Sequence, residues 1–137
     1  MFVALSSVYR AVREVYSEVE VCPVKPILVR NSRIPALLSW FFPVAAIALW
    51  PFVFFRPGYD REETVTHESI HILQYNELYV VGFLVIYLYD WLRGLWKYTE
   101  PREAYRRIRF EQEAREHQGD PEYLKQREPF AWKKYFI

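Results

Sequence analysis

The chain has 137 residues, 18 Lys and Arg against 17 Asp and Glu, a formal net charge of +1 and 19% aromatic residues. This length suits one domain with a single core, and a balanced charge without a basic cluster gives no basis for a nucleic-acid partner. The single cysteine, Cys22, excludes an intrachain disulfide and suits a reducing compartment.

Residues 2–20 read as a helix, because Leu5, Val8, Val12, Val15 and Val19 recur at spacings of three and four. It is either an amphipathic helix packed on the domain or a helix lying on a membrane surface. Arg10, Arg13 and Glu14 follow the apolar start too closely for a secretory signal core, so no cleavable targeting segment is expected. Pro23 and Pro26 end the pattern, and residues 27–30 suit a short strand.

Residues 34–55 carry no charge, yet Pro35, Pro43 and Pro51 interrupt them. An interior proline breaks helical hydrogen bonding. Residues 45–49 and 52–55 therefore suit buried strand, with an edge strand broken at Pro51. A kinked membrane segment is the alternative. Pro57-Gly58 marks a turn, and Asp60 with Glu63 has capping-box spacing, so a helix should start at Arg61 and run to about Asn76. Residues 78–89 are apolar on every side and suit burial in protein or placement in lipid, with 91–96 as an extension. Thr99-Glu100-Pro101 starts a further helix that should continue to Gln118 and stop at Gly119. Residues 121–127 allow one or two more turns, and 129–137 suit a closing segment.

The chemistry lies in His67-Glu68-Ser69-Ile70-His71, an HExxH sequence inside the predicted helix. Residues four apart share one helix face, so both imidazoles can reach one ion. Glu68 projects beside that ion and can take a proton from a zinc-bound water, whose pKa the metal lowers. A catalytic zinc needs a third protein ligand and one open position. His117 lies near a helix end, where solvent exposure is expected, so a glutamate is the better third ligand. Glu111 shares a helical face with Ala104, Arg107, Ile108, Ala114 and Arg115, and the small alanines would permit close approach to the HExxH helix. Glu113 points elsewhere on the wheel, so both cannot be ligands.

With Glu111-Gln112-Glu113-Ala114 added, residues 60–118 resemble the gluzincins, zinc peptidases with HExxH on one helix and a glutamate ligand, often in Glu-x-x-Ala, on a later one. The resemblance implies that Zn2+ is the cofactor, that His67, His71 and Glu111 are ligands, and that Glu68 is the general base. Larger gluzincins place Asp after the alanine, where this chain has Arg115; Glu113 is the candidate substitute beside a ligand. Gln74 falls on the zinc-facing side and can hydrogen-bond a ligand. Arg107 is a candidate to orient Glu111 or bind an oxyanion, and Tyr105 to polarise a carbonyl. Cys22 stands broadly where peptide deformylases carry a cysteine ligand, but the glycine and leucine expected around it are absent.

The expectation is thus a mainly helical α+β minidomain over 1–137, with a short strand or hairpin beside the HExxH helix. Residues 1–59 form the amphipathic helix and apolar strand or loop region, 60–118 the metal helices and 119–137 the closing segment. Its expected activity is zinc-dependent hydrolysis of a peptide or protein substrate lying extended along the edge strand. The expected location is cytoplasmic, with membrane or assembly contacts through 34–55 and 78–96. The rival reading is a non-catalytic structural or interaction protein on the same scaffold.

Overall fold

The computed structural model describes residues 27–38, 45–59 and 61–136. The predicted helix over 2–20, Cys22 and Asp60 lie outside the described residues. The protein is mainly helical with a small mixed sheet.

Strands β1 (Ile27–Val29), β2 (Ala46–Leu49) and β3 (Phe52–Phe55) form the sheet in the order β1-β3-β2. A short helix, α1 (Ile34–Leu38), follows β1. β1 pairs parallel with β3, Ile27 opposite Phe52, and β2 pairs antiparallel with β3, Ala46 opposite Phe55. Alternation sorts the faces: Ala46, Ala48, Val53 and Phe55 are buried while Leu49 and Phe52 are exposed. Pro51 sits in the two-residue turn, where its missing N–H costs no ladder bond. Residues 45–55 are therefore a hairpin and not part of a membrane span. The edge strands are β1 and β2, and β3, which follows Pro51, lies in the middle.

Helix α2 (Glu62–Tyr98) is followed by α3 (Pro101–Arg106), α4 (Arg109–His117), α5 (Tyr123–Gln126) and a 3-10 turn over Ala131–Tyr135. α2 starts after Arg61, whose own side chain makes no capping hydrogen bond; the predicted capping box involves Asp60 and so lies outside the described residues. The two helices expected over 61–76 and 78–96 are present as the two halves of α2, joined across a kink where Tyr79 leaves helical geometry (φ 56, ψ 167). Before the kink α2 is a core helix, with Val65, Thr66, Glu68, Ser69, Ile70, His71, Ile72, Gln74 and Tyr75 all buried. Beyond it, the buried residues are Phe83 and Gly94. A Cβ on Gly94 would stand 3.0 Å from both Cα and Cβ of Ala104, so glycine is what lets α3 lie against α2. The close approach expected of Ala104 is thus to Gly94, not to the HExxH turn.

The single helix expected over 99–118 is two helices. Glu100 caps α3 by accepting the N–H groups of Arg102 (3.1 Å) and Glu103 (2.7 Å). Ile108 is extended (φ −60, ψ 128), and α4 restarts at Arg109. Asp90 on α2 fixes that restart, accepting the Arg109 backbone N–H at 3.2 Å and its guanidinium at 2.6 Å.

The aromatic content resolves into a column. Tyr75 stacks on Phe83 (3.8 Å), Phe83 on Phe110 (4.5 Å), and Phe110 meets Trp132 edge-on (5.2 Å). Each such pair is worth about 0.5–1.5 kcal/mol beyond its buried area. The column ties both halves of α2 to α4 and to the final turn.

Candidate metal centre

His67 and His71 sit one turn apart on the buried half of α2, and Glu111 reaches them from the first turn of α4. The two Nε2 atoms are 3.2 Å apart. Glu111 Oε2 lies 3.4 Å from His67 Nε2, and Oε1 lies 3.3 Å from His71 Nε2. A tetrahedron around zinc with ligands at 2.0–2.2 Å has edges of about 3.3–3.6 Å. Donor chemistry agrees with this spacing: Glu111 Oε2 is buried and receives no hydrogen bond. Its charged neighbours among the described residues are His67, when protonated, and the Arg115 guanidinium at 3.8 Å, so a bound cation would gain a buried acceptor that no hydrogen bond occupies. The three residues sequence reasoning nominated as ligands are brought together, and they could hold a metal ion.

The outer nitrogens of both imidazoles are engaged. His71 Nδ1 is 2.8 Å from Gln74 Oε1, and His67 Nδ1 is 3.1 Å from Gln118 Oε1. The Gln74 amide is oriented from behind, its Nε2 donating to Glu113 Oε2 (2.9 Å) and to the Phe110 carbonyl (3.3 Å). Both are acceptors only, so the Gln74 oxygen must face His71. In the neutral imidazole the proton then resides on Nδ1, and the Nε2 lone pair faces Glu111. Glu113 is anchored in turn by Tyr123 Oη (3.0 Å) and Arg127 Nε (2.5 Å). Arg127 also grips Glu77, which accepts the Phe130 N–H (2.8 Å) and Trp132 Nε1–H (2.9 Å). The chain end is thereby linked to a candidate ligand through paired, buried charges. Gln74→Ala is expected to weaken zinc binding about 10–100-fold, as measured by competition with a chromophoric chelator.

Glu68 is buried beside the cluster, and its carboxyl accepts the Ala48 N–H. Burial raises its pKa, against the pull of the neighbouring His67 and His71. A carboxyl raised in this way is better matched to accepting a proton near neutral pH. The Ala48 carbonyl accepts Tyr75 Oη at 3.3 Å, so the polar groups of this edge residue are used within the molecule. Tyr87 Oη donates to Glu111 Oε1 at 3.1 Å. Burial, followed by the Glu111 charge, pushes the Tyr87 and Tyr105 hydroxyls far up, so both stay protonated. These groups border a cavity of about 500 Å³ between β2 and α2, with Leu49, Phe83, Leu84 and Trp91 among its walls.

Burial lowers the His71 pKa, but the adjoining Glu111 carboxylate outweighs it and leaves the value pushed up to about 9. Burial would raise Glu111, yet the His71 charge and contact with both imidazoles hold it well below the usual carboxylate range. For the metal-free fold the signs are opposite. His71 contributes stability that is complete below its unfolded value of about 6.5 and is lost as pH rises through about 9. Glu111 contributes stability that is present above about 4.3 and lost as pH falls through its lowered value. Zinc must displace the His71 proton, so affinity should tighten up to about tenfold per pH unit between pH 7 and about 9. Calorimetry at pH 7 in buffers of different ionisation enthalpy should show close to one proton released per zinc; affinity independent of pH would contradict this.

One nominated residue lies elsewhere. Arg107 is exposed and bonds Glu103 at 2.8 Å, because the break at Ile108 removes the one-turn relation to Glu111. Arg115 takes that place, 3.8 Å from Glu111 Oε2. His117 is partly buried rather than exposed, stacked on Tyr123 at 3.5 Å. Tyr87, Gln118 and Ala48 were not anticipated.

No protein-family model, no curated protein and no solved structure matches this chain.

Proposed function

We propose that this chain is a zinc-dependent hydrolase, most simply a peptidase of gluzincin type, with His67, His71 and Glu111 as metal ligands and Glu68 as general base. One observation carries the reading: two imidazole nitrogens and the buried Glu111 carboxylate converge, each imidazole 3.3–3.4 Å from one of its two oxygens, beside a second buried carboxyl, at an open cavity.

Bound there, zinc would polarise a substrate carbonyl and acidify a water. The chain's own residues supply the rest. Glu68 accepts the proton and passes it to the leaving amine. Gln74 and Gln118 aim the imidazoles, Tyr87 steadies Glu111, and the apolar walls limit access of bulk water. A peptide substrate would enter the cavity beside β2, without relying on the Ala48 polar groups, which Glu68 and Tyr75 already use.

A second reading, favoured by the exposed apolar side of α2, is a non-catalytic protein that docks to a membrane or assembly and uses the metal for stability. α2 is long and apolar enough to be a candidate for membrane association by length and composition. Digestion of a broad peptide library by zinc-loaded, chelated and reloaded protein separates the two. Cleavage that disappears with chelation and returns with zinc supports the hydrolase; a folded, zinc-bound protein that cleaves nothing supports the scaffold.

A further inference from the structure

The cavity of about 500 Å³ beside the metal cluster has two unlike walls. Beyond the kink, Leu84, Tyr87 and Trp91 recur at spacings of three and four, so one face of α2 turns large side chains toward it. The β2 side presents Ala46 and Ala48, short side chains that leave the space between the walls open. Tyr75 and Phe83, buried and stacked at 3.8 Å, line its inner part. Leu49 and Leu84, 41% and 50% exposed, stand at its mouth.

Charge is confined to one end of this space. Among the described residues that line it, the carboxyl and imidazole groups are Glu68, His71 and Glu111, and each has its part in the metal centre. The tyrosines of the wall are uncharged at neutral pH. Two of their hydroxyls are already engaged, Tyr75 with the Ala48 carbonyl and Tyr87 with Glu111. A Lys, Arg, Asp or Glu side chain entering between Leu84 and Ala46 would therefore be buried without a counter-charge. An apolar side chain meets no such penalty. A dry apolar cavity of about 150 Å³ takes up benzene, so a space of about 500 Å³ has room for a side chain of Phe or Leu size and its backbone.

We propose that the cavity selects its substrate by a large uncharged apolar side chain, aromatic or branched, on the residue next to the cleaved bond, and that Ala46 and Leu84 determine this specificity. Ala46 leaves the space, and Leu84 keeps its mouth free of charge. The cavity shares His71 and Glu111 with the metal cluster, so a side chain seated between β2 and α2 has its own backbone carbonyl within reach of the metal. The inference rests on the hydrolase reading for the cleavage step and on the cavity alone for binding.

The test uses the zinc-loaded full chain and capped Gly-Gly-X-Gly-Gly peptides in which X is Phe, Ala, Lys or Asp. Binding is measured by calorimetry on Glu68→Gln, and cleavage on the wild type. One methylene in an apolar pocket is worth about 10–200-fold, so Phe should exceed Ala by at least about 100-fold in affinity and in kcat/KM, with Lys and Asp no better than Ala. Ala46→Leu, which fills the space, should remove most of the Phe advantage at unchanged zinc affinity. Leu84→Asp, at a half-exposed position that can carry a charge, should raise Lys above Ala by about tenfold. Circular dichroism checks the fold of both variants. A Phe preference in binding without cleavage by the wild type would keep the cavity assignment and refute the hydrolase. Cleavage with no Phe preference, or with Lys or Asp preferred, would overturn the cavity assignment and keep the hydrolase. Neither preference nor cleavage overturns both.

Discussion

Glu68→Gln is expected to keep its zinc and to lose on the order of 10²–10⁴-fold in peptide hydrolysis. The expectation follows from where the carboxyl sits. It is buried beside both histidines without joining the three-residue cluster, and the Ala48 N–H holds it in place. Glutamine preserves the shape and an acceptor oxygen for Ala48 but cannot take and deliver a proton. The measurement is kcat on the best library peptide, with zinc content determined on the same sample. An unchanged rate would remove Glu68 from the chemistry. Zinc lost together with activity would instead make it part of the binding set.

Glu111→Ala is expected to weaken zinc binding by more than about a hundredfold, since losing a ligand should exceed the 10–100-fold cost of losing a ligand's hydrogen-bond partner. The Tyr87 hydroxyl would lose its acceptor, and His71 would lose the carboxylate that raises its pKa. The His71 value should therefore fall, which proton NMR of the metal-free variant can follow. Chelator competition gives the affinity. Wild-type affinity in Glu111→Ala would mean that the third donor lies elsewhere.

The HExxH turn was legible because its geometry is local: four residues place two imidazoles on one face of any helix. Gln74 was legible for the same reason, and Glu111 through its motif. What escaped depends on contacts between distant parts of the chain. A straight helix would turn Tyr87 about 160° from His71, and only the kink at Tyr79 returns it to Glu111. Arg107 was misread because nothing in Arg106-Arg107-Ile108-Arg109 signals a break; the restart is fixed by Asp90, nineteen residues upstream. Gln118 meets His67 across fifty-one residues, which no spacing rule reaches. Strand over 45–49 and 52–55 was readable from the prolines that rule out a continuous helix, but which residues face inward, and the parallel addition of β1 that puts β3 in the middle, were not.

The most direct test is zinc titration of the purified chain followed by zinc-edge X-ray absorption. One ion per chain, with two imidazole nitrogens and a carboxylate oxygen at about 2.0–2.2 Å, is the predicted result. A fully folded protein that takes up no zinc, or a spectrum lacking either imidazole, would contradict it.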